Sequence, residues 1–164
     1  MLCDCHMHMI LDGVDWKNAI GRHRDAPNLS FIHQVLAQYR EQGFTYLRDG
    51  GDRWGAGKMA REIAPEYGIR YRTPLAPLCQ KGHYGAFIGE TYENLREYAD
   101  LVRKHQKDGA DFIKIMISGL MDFDRAGVLT EPGLPALGMA FARYVAEKKH
   151  KPRSEEHTSE LQSH

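Results

Sequence analysis

The sequence has few cysteines, no excess of either charge and no long hydrophobic run. Its 164 residues include 22 Lys and Arg against 22 Asp and Glu, so the formal net charge is zero. A neutral chain lacks the electrostatic footprint that nucleic acid or an anionic membrane surface requires. No apolar stretch approaches the length that spans a bilayer, and the N-terminus lacks a basic segment followed by an apolar one. We therefore expect neither a nucleic acid nor a membrane as partner.

The cysteines do not form a disulfide framework. There are three, Cys3, Cys5 and Cys79, an odd count without regular spacing. A reducing compartment is the default for such a chain, so we predict a cytoplasmic protein. With 42% hydrophobic residues, the composition is that of a soluble globular protein with enough apolar side chains for one core.

The sequence does contain a D-x-H-x-H pattern, within the short apolar segment Leu2–Ile10. If this segment is a β-strand, Asp4, His6 and His8 point to one face and the neighbouring cysteines to the other. Two adjacent neutral imidazoles suit a divalent zinc, iron, manganese or nickel ion, and Asp4 could orient one of the rings. The alternative is two histidines that lie two positions apart by chance.

Predicted strands alternate with predicted helices along the chain. The order permits the right-handed crossovers of a parallel sheet, which indicates an α/β protein built from successive βα units. A long polar segment after the first strand, Asp12–Asn28, is of the kind that shapes a binding site. The predicted strands are Leu2–Ile10, Phe44–Leu47, Ile69–Pro77 and Asp111–Ser118, and the predicted helices run from Ser30 to Gln42, Gly55 to Tyr67, Thr91 to Gly109 and Ala136 to Lys149.

A lysine interrupts the apolar run of the fourth predicted strand. Lys114 must pair with a carboxylate, lose its proton or be modified if this strand is buried on both faces, because burying an unpaired ammonium is costly. A neutral amine could add carbon dioxide and become a carbamate that bridges two metal ions. A lysine that reaches solvent from an edge strand, or that forms a buried salt bridge, is the alternative. His6, His8 and Lys114 could meet at the carboxyl end of one parallel barrel.

Together these segments resemble the amidohydrolase superfamily, in particular its prolidase-like and imidazolonepropionase-like branch. The resemblance rests on the D-x-H-x-H pattern and on three further segments, Gly43–Asp49, Gly82–Gly85 and Gly109–Ile115 followed by Ser118 and Gly119. Members of this superfamily are metal-dependent hydrolases on a TIM (β/α)8 barrel. The resemblance implies hydrolysis of an amide, peptide-like or cyclic C–N bond in a small-molecule substrate by metal-activated hydroxide, and the whole protein could be a homo-oligomer.

The same resemblance assigns roles to individual residues. It makes His6, His8 and Lys114 metal ligands, with Lys114 carboxylated and two zinc ions as the expected cofactor, or else iron, manganese or nickel. His83 becomes a substrate-binding residue. Asp4 and Asp49 become supporting groups near the site. The family's general base, an aspartate on strand eight, has no counterpart here, nor have its single histidines on strands five and six.

The chain therefore reads as the N-terminal half of a barrel, with a partial barrel domain over residues 1–152. Residues 153–164 resemble the in-frame translation of a sequencing adapter, so we expect them to be a non-native, disordered tail; a natural polar tail is the alternative. We expect this fragment to be inactive because it lacks the base and several ligands. It would also leave open sheet edges.

Three other functions remain open. The whole protein could be a nucleobase-type deaminase of the same superfamily, although that branch often uses one metal without a bridging lysine. It could instead be a non-catalytic metal-binding or ligand-binding barrel. The third alternative is an unrelated doubly wound α/β domain in which His6 and His8 have no shared role.

Overall fold

A computed structural model describes residues 2–120, 122, 124–148 and 153–156. The chain divides into two compact units, Met1–Ala76 and Pro77–His164. Each unit contains helices and a small parallel sheet, which confirms the predicted α/β class. That the sheets belong to one half of a (β/α)8 barrel stays a prediction. None of the described helices is both long enough and apolar enough to cross a membrane.

The elements of the first unit are β1 (Leu2–Met7), α1 (Trp16–Gly21), α2 (Leu29–Glu41), β2 (Phe44–Asp49), α3 (Ala56–Ile63), a 3-10 turn (Ala64–Tyr67) and β3 (Arg70–Arg72). The three strands form one sheet in the order β1-β2-β3, with all strands parallel. Helix α2 begins after Asn28, whose side chain accepts the Phe31 N–H at 3.0 Å, and not at the predicted start Ser30.

The register between β1 and β2 shifts at two places, between Leu2 and Cys3 and between Asp4 and Met7, and the second shift has the extra residue of a β-bulge in β1. Asp4 is opposite Leu47 and Met7 is opposite Asp49, so three steps along β1 match two along β2. The extra residue lies at Cys5 or His6, and both side chains are exposed. The strict alternation expected from the sequence is therefore wrong here, because a bulge shifts the faces to which the following side chains point.

The elements of the second unit are β4 (Leu78–Gln80), β5 (Glu90–Tyr92), α4 (Leu95–Lys107), β6 (Ile113–Met116), α5 (Ala136–Lys148) and β7 (Arg153–Glu156). Its four strands form a parallel sheet in the order β5-β4-β6-β7. Residues of β4, β6, α4 and α5 form the core of the unit, including the fully buried Leu78, Val102 and Ile113.

The third predicted strand, Ile69–Pro77, is wrong in extent. β3 ends at Arg72, and a separate strand, β4, begins at Leu78 in the other sheet. Pro74 and Pro77 lie between them and have no N–H to donate to a sheet ladder, which explains the interruption.

The predicted start of the third long helix is also wrong. Thr91 lies in β5, and Asn94 caps α4 by accepting the N–H groups of Arg96 and Glu97, each at 3.1 Å. A β-branched threonine is as well suited to a strand as to a cap, whereas the asparagine acts as a cap in this structure.

The C-terminal segment differs from the expected disorder at four residues. Arg153–Glu156 form β7, parallel to β6, with Ser154 opposite Lys114. Without β7, this edge of β6 would present unpaired backbone N–H and C=O groups, with which any extended segment can pair. Residues 157–164 lie outside the described part of the chain.

Candidate functional site

The two histidines of the first strand converge in the first unit. Their Nε2 atoms lie 3.4 Å apart, and their ring centroids 5.3 Å apart. His8 Nδ1 lies 3.2 Å from the Gly51 carbonyl oxygen. A carbonyl only accepts hydrogen bonds, so His8 donates from Nδ1 and its Nε2 keeps a lone pair. This is the tautomer of a metal-binding histidine whose other nitrogen is held by a backbone carbonyl.

The spacing of the two nitrogens suits a shared metal ion. Two ligands at about 2.0–2.1 Å from a tetrahedral zinc ion are themselves about 3.3–3.4 Å apart. The residues therefore fit one divalent ion, to which they would contribute two ligands. Across the described residues, no group of three or more His, Cys, Asp or Glu side chains is arranged to hold a metal ion.

Asp4 contacts the backbone of the pair. One carboxylate oxygen accepts the His6 N–H at 3.0 Å, and the other accepts the Tyr39 hydroxyl of α2 at 2.9 Å. Burial, followed by this hydrogen bond, raises the pKa of Tyr39 well above its usual value, so the phenol stays protonated and donates. Tyr39 is a site residue that the sequence analysis missed, since the motif carries no signal for a partner 35 positions away.

Gly50 provides the space in which the His8 ring lies. A Cβ atom built on Gly50 would be 2.1 Å from His8 Cε1 and 2.2 Å from Nε2. Real Cβ atoms do not approach other atoms so closely, so only glycine at this position is compatible with the observed ring. The sequence pattern alone does not indicate this role for Gly50.

Asp49 ties together the carboxyl ends of the three strands in the first unit. Its carboxylate accepts the Met9 N–H at 3.3 Å and the Thr73 hydroxyl at 2.8 Å. The side chain is 1% exposed. Burial, and then the nearby Asp52 carboxylate, raises the pKa of Asp49 to about 7 despite these hydrogen bonds.

Asp52 is a second buried carboxylate at this edge of the sheet. It accepts N–H groups of Trp54, Ala56 and Gly57 at 2.8–3.1 Å, around the N-terminus of α3. Burial raises its pKa, and these backbone hydrogen bonds oppose the rise. The sequence analysis missed Asp52, although an aspartate shortly before a helix is a recognisable signal.

The two remaining predicted site residues belong to the second unit. Lys114 lies on β6, where all four residues are buried, and is 2% exposed. His83 is partly buried in the loop after β4, with Nδ1 3.3 Å from the Lys81 carbonyl oxygen. A donated Nδ1–H leaves His83 Nε2 as an acceptor, which suits contact with a substrate.

The sequence matches no protein-family model and no curated protein. The fold is similar to part of two solved structures. One is an uncharacterized protein, with a TM-score of 0.70 and 22% identity over 93% of this chain and 41% of that chain. The other is a Xaa-Pro dipeptidase with bound methionine in the active site, with a TM-score of 0.57 and 16% identity over 94% of this chain and 42% of that chain.

This chain thus spans about two fifths of the length of each structure. At these identities the likeness extends to the fold alone.

Proposed function

We propose that this chain supplies part of the active site of a metal-dependent hydrolase that acts on an amide, peptide-like or cyclic C–N bond. The observation that carries the proposal is the 3.4 Å approach of His6 Nε2 and His8 Nε2, with His8 Nδ1 held by the Gly51 carbonyl. The fold likeness to a Xaa-Pro dipeptidase supports it. His6 and His8 would hold a divalent ion, which would polarise a carbonyl group and lower the pKa of a bound water to about 7.

Within this proposal, the residues of the first unit have distinct tasks. His6 and His8 bind the ion, and the Gly51 carbonyl keeps His8 in its binding tautomer. Asp49 keeps the ends of the strands in place from the interior of the unit. We propose zinc as the metal, two ions in the whole protein, with iron, manganese or nickel as alternatives, and a small-molecule substrate.

A zinc titration tests the proposed site. We expect the chain to bind Zn²⁺ in isothermal titration calorimetry, and the His6→Ala/His8→Ala double variant to lose its tightest site, because two of the ligands are gone. His33→Ala is the matched control, since His33 pairs with the Tyr67 hydroxyl at 2.8 Å and has no part in the proposed site. Equal zinc binding by the wild-type chain and the double variant would contradict the proposal.

A hydrolysis assay distinguishes an enzyme from a non-catalytic metal-binding protein. Dipeptides with a C-terminal proline are the first substrates to assay, because the similar solved structure is a Xaa-Pro dipeptidase. The whole protein should release proline in a zinc-dependent manner. Zinc binding through the pair without hydrolysis of these dipeptides or of cyclic amides would favour the non-catalytic metal-binding function.

Lys114 remains the proposed carbamate. Its burial on β6 supports the proposal, since Lys114 is 2% exposed and an ammonium group is costly to bury. With zinc and ¹³C-bicarbonate present, ¹³C NMR should show a carbamate signal that is absent from Lys114→Met. The methionine has a volume similar to that of lysine, and circular dichroism of the variant checks that the second unit stays folded. Absence of the signal from the wild-type chain would exclude the carbamate.

A further inference from the structure

The His6 backbone N–H lies at the β-bulge in β1 and donates to a side chain. A bulge disrupts the ladder locally, so a backbone N–H there can need an acceptor outside it. Asp4 supplies it, because its carboxylate accepts the His6 N–H at 3.0 Å. The local path of the chain at His6 therefore depends on where the Asp4 carboxylate is held.

Tyr39 holds that carboxylate from a neighbouring helix. Its hydroxyl donates to the second Asp4 oxygen at 2.9 Å, and its ring packs edge-to-face against Phe44 at the start of β2, with centroids 5.2 Å apart. The ring contact limits the freedom of the hydroxyl, so Asp4 has a well-placed donor. Asp4 is thus anchored to both α2 and β2.

His6 needs this anchor more than His8 does. The His8 ring is partly buried and bonded to the Gly51 carbonyl, whereas His6 is exposed on a strand that, in the described sheet, pairs only with β2. The hydrogen bond from the His6 N–H to Asp4 holds the backbone from which the His6 side chain extends, and so contributes to its placement opposite His8.

We propose that Tyr39 is a positioning residue for the metal-binding histidines, which holds Asp4 so that the bulge keeps His6 Nε2 opposite His8 Nε2. The inference rests on the proposed function, because it gives Tyr39 a role in metal binding. In this role Tyr39 acts through the Asp4 carboxylate and the His6 N–H.

A Tyr39→Phe variant isolates the hydroxyl, because it keeps the ring against Phe44. With Cu²⁺ as the probe, which binds nitrogen ligands most tightly among the first-row divalent ions, we expect affinity to fall roughly 10-fold, as for other groups that orient metal ligands. Electron paramagnetic resonance should show a weaker contribution from the second imidazole nitrogen. Tyr67→Phe is the matched control. It also removes a tyrosine hydroxyl that contacts helix α2, in this case at 2.8 Å from His33.

A double-mutant cycle with Asp4→Ala tests the route of the effect. If Tyr39 acts through Asp4, adding Tyr39→Phe to Asp4→Ala should cause no further loss of Cu²⁺ affinity, because the shared contact is already gone. Additive losses would overturn the inference, as would equal losses in Tyr39→Phe and Tyr67→Phe. Failure of the proposed function gives a different result, in which the wild-type chain binds Cu²⁺ no better than His6→Ala/His8→Ala.

Discussion

A Gly50→Ala variant should lose zinc affinity roughly 10- to 100-fold while the first unit stays folded. The added methyl group would lie 2.1 Å from the His8 ring, so the ring must move away from the position in which its Nε2 faces that of His6. Displacing a metal ligand, or the groups that orient it, typically costs this much affinity. Zinc affinity is measured by calorimetry and folding by the fluorescence of Trp16 and Trp54, which both belong to the first unit.

The matched control is Gly21→Ala. Nothing lies within 4 Å of a Cβ atom at Gly21, and neither Gly21 nor Gly50 has a positive φ, so neither substitution strains the backbone in the left-handed region. The two variants thus differ in whether the methyl group meets the histidine. If Gly50→Ala kept wild-type zinc affinity, His8 would not be a ligand in the observed orientation.

The sequence was most informative where a local pattern corresponds to a local structure. The alternation of strands and helices predicted an α/β chain, and β2, α2 and α5 lie close to their expected positions. The D-x-H-x-H spacing predicted that His6 and His8 would be close together, and their Nε2 atoms are 3.4 Å apart. Two residues on one short strand have few ways to diverge, so even a bulge leaves them neighbours.

Features that depend on distant parts of the chain could not be predicted in this way. Tyr39 reaches Asp4 from a helix, and Thr73 reaches Asp49 from the end of β3. Neither hydroxyl differs in sequence from an ordinary surface or core residue. The steric role of Gly50 likewise becomes apparent only once the His8 ring is seen against it. Tertiary contacts, and not local propensity, select these residues.

The separation of β3 from β4 has a related cause. The segment from Ile69 to Pro77 begins with an alternation of apolar and polar residues that is compatible with one strand, but two prolines interrupt the ladder, and Leu75 adopts a positive φ of 71°. Its carbonyl accepts the Asp52 N–H at 2.8 Å, and its own N–H donates to the Thr73 hydroxyl at 3.1 Å. These contacts maintain a conformation that leucine rarely adopts. A sequence pattern contains no sign of a left-handed leucine.

An Asp49→Asn variant should stabilise the first unit at neutral and alkaline pH. The folded-state pKa of Asp49 is about 7, whereas an unfolded aspartate titrates near 3.8. Between these values the unfolded chain releases a proton that the folded chain retains, so the stability of the wild-type unit falls as pH rises through this window. A shift of about 3 pKa units corresponds to about 4 kcal/mol, an upper bound on the gain.

The gain should be smaller than this bound because the substitution changes the hydrogen bonding. An asparagine oxygen can still accept the Met9 N–H, but its amide must donate to the Thr73 hydroxyl oxygen instead of accepting from it. That change alters the free energy of unfolding of Asp49→Asn by an amount that hardly varies with pH. The dependence on pH is therefore the more specific prediction, because only the lost carboxyl group titrates.

Urea unfolding, followed by tryptophan fluorescence from pH 4 to pH 8, measures how the free energy of unfolding of wild type and of Asp49→Asn depends on pH. The stability of Asp49→Asn relative to wild type should rise by about 2–4 kcal/mol from pH 4 to pH 7 and then level off. Asp25→Asn replaces an exposed carboxylate and should show little change. A pH-independent difference between Asp49→Asn and wild type would mean that Asp49 ionises normally in the folded chain. The ionised carboxylates of Asp49 and Asp52 would then need a positive charge or water at the carboxyl edge of the sheet to stabilise them, because burial alone disfavours the ionised form.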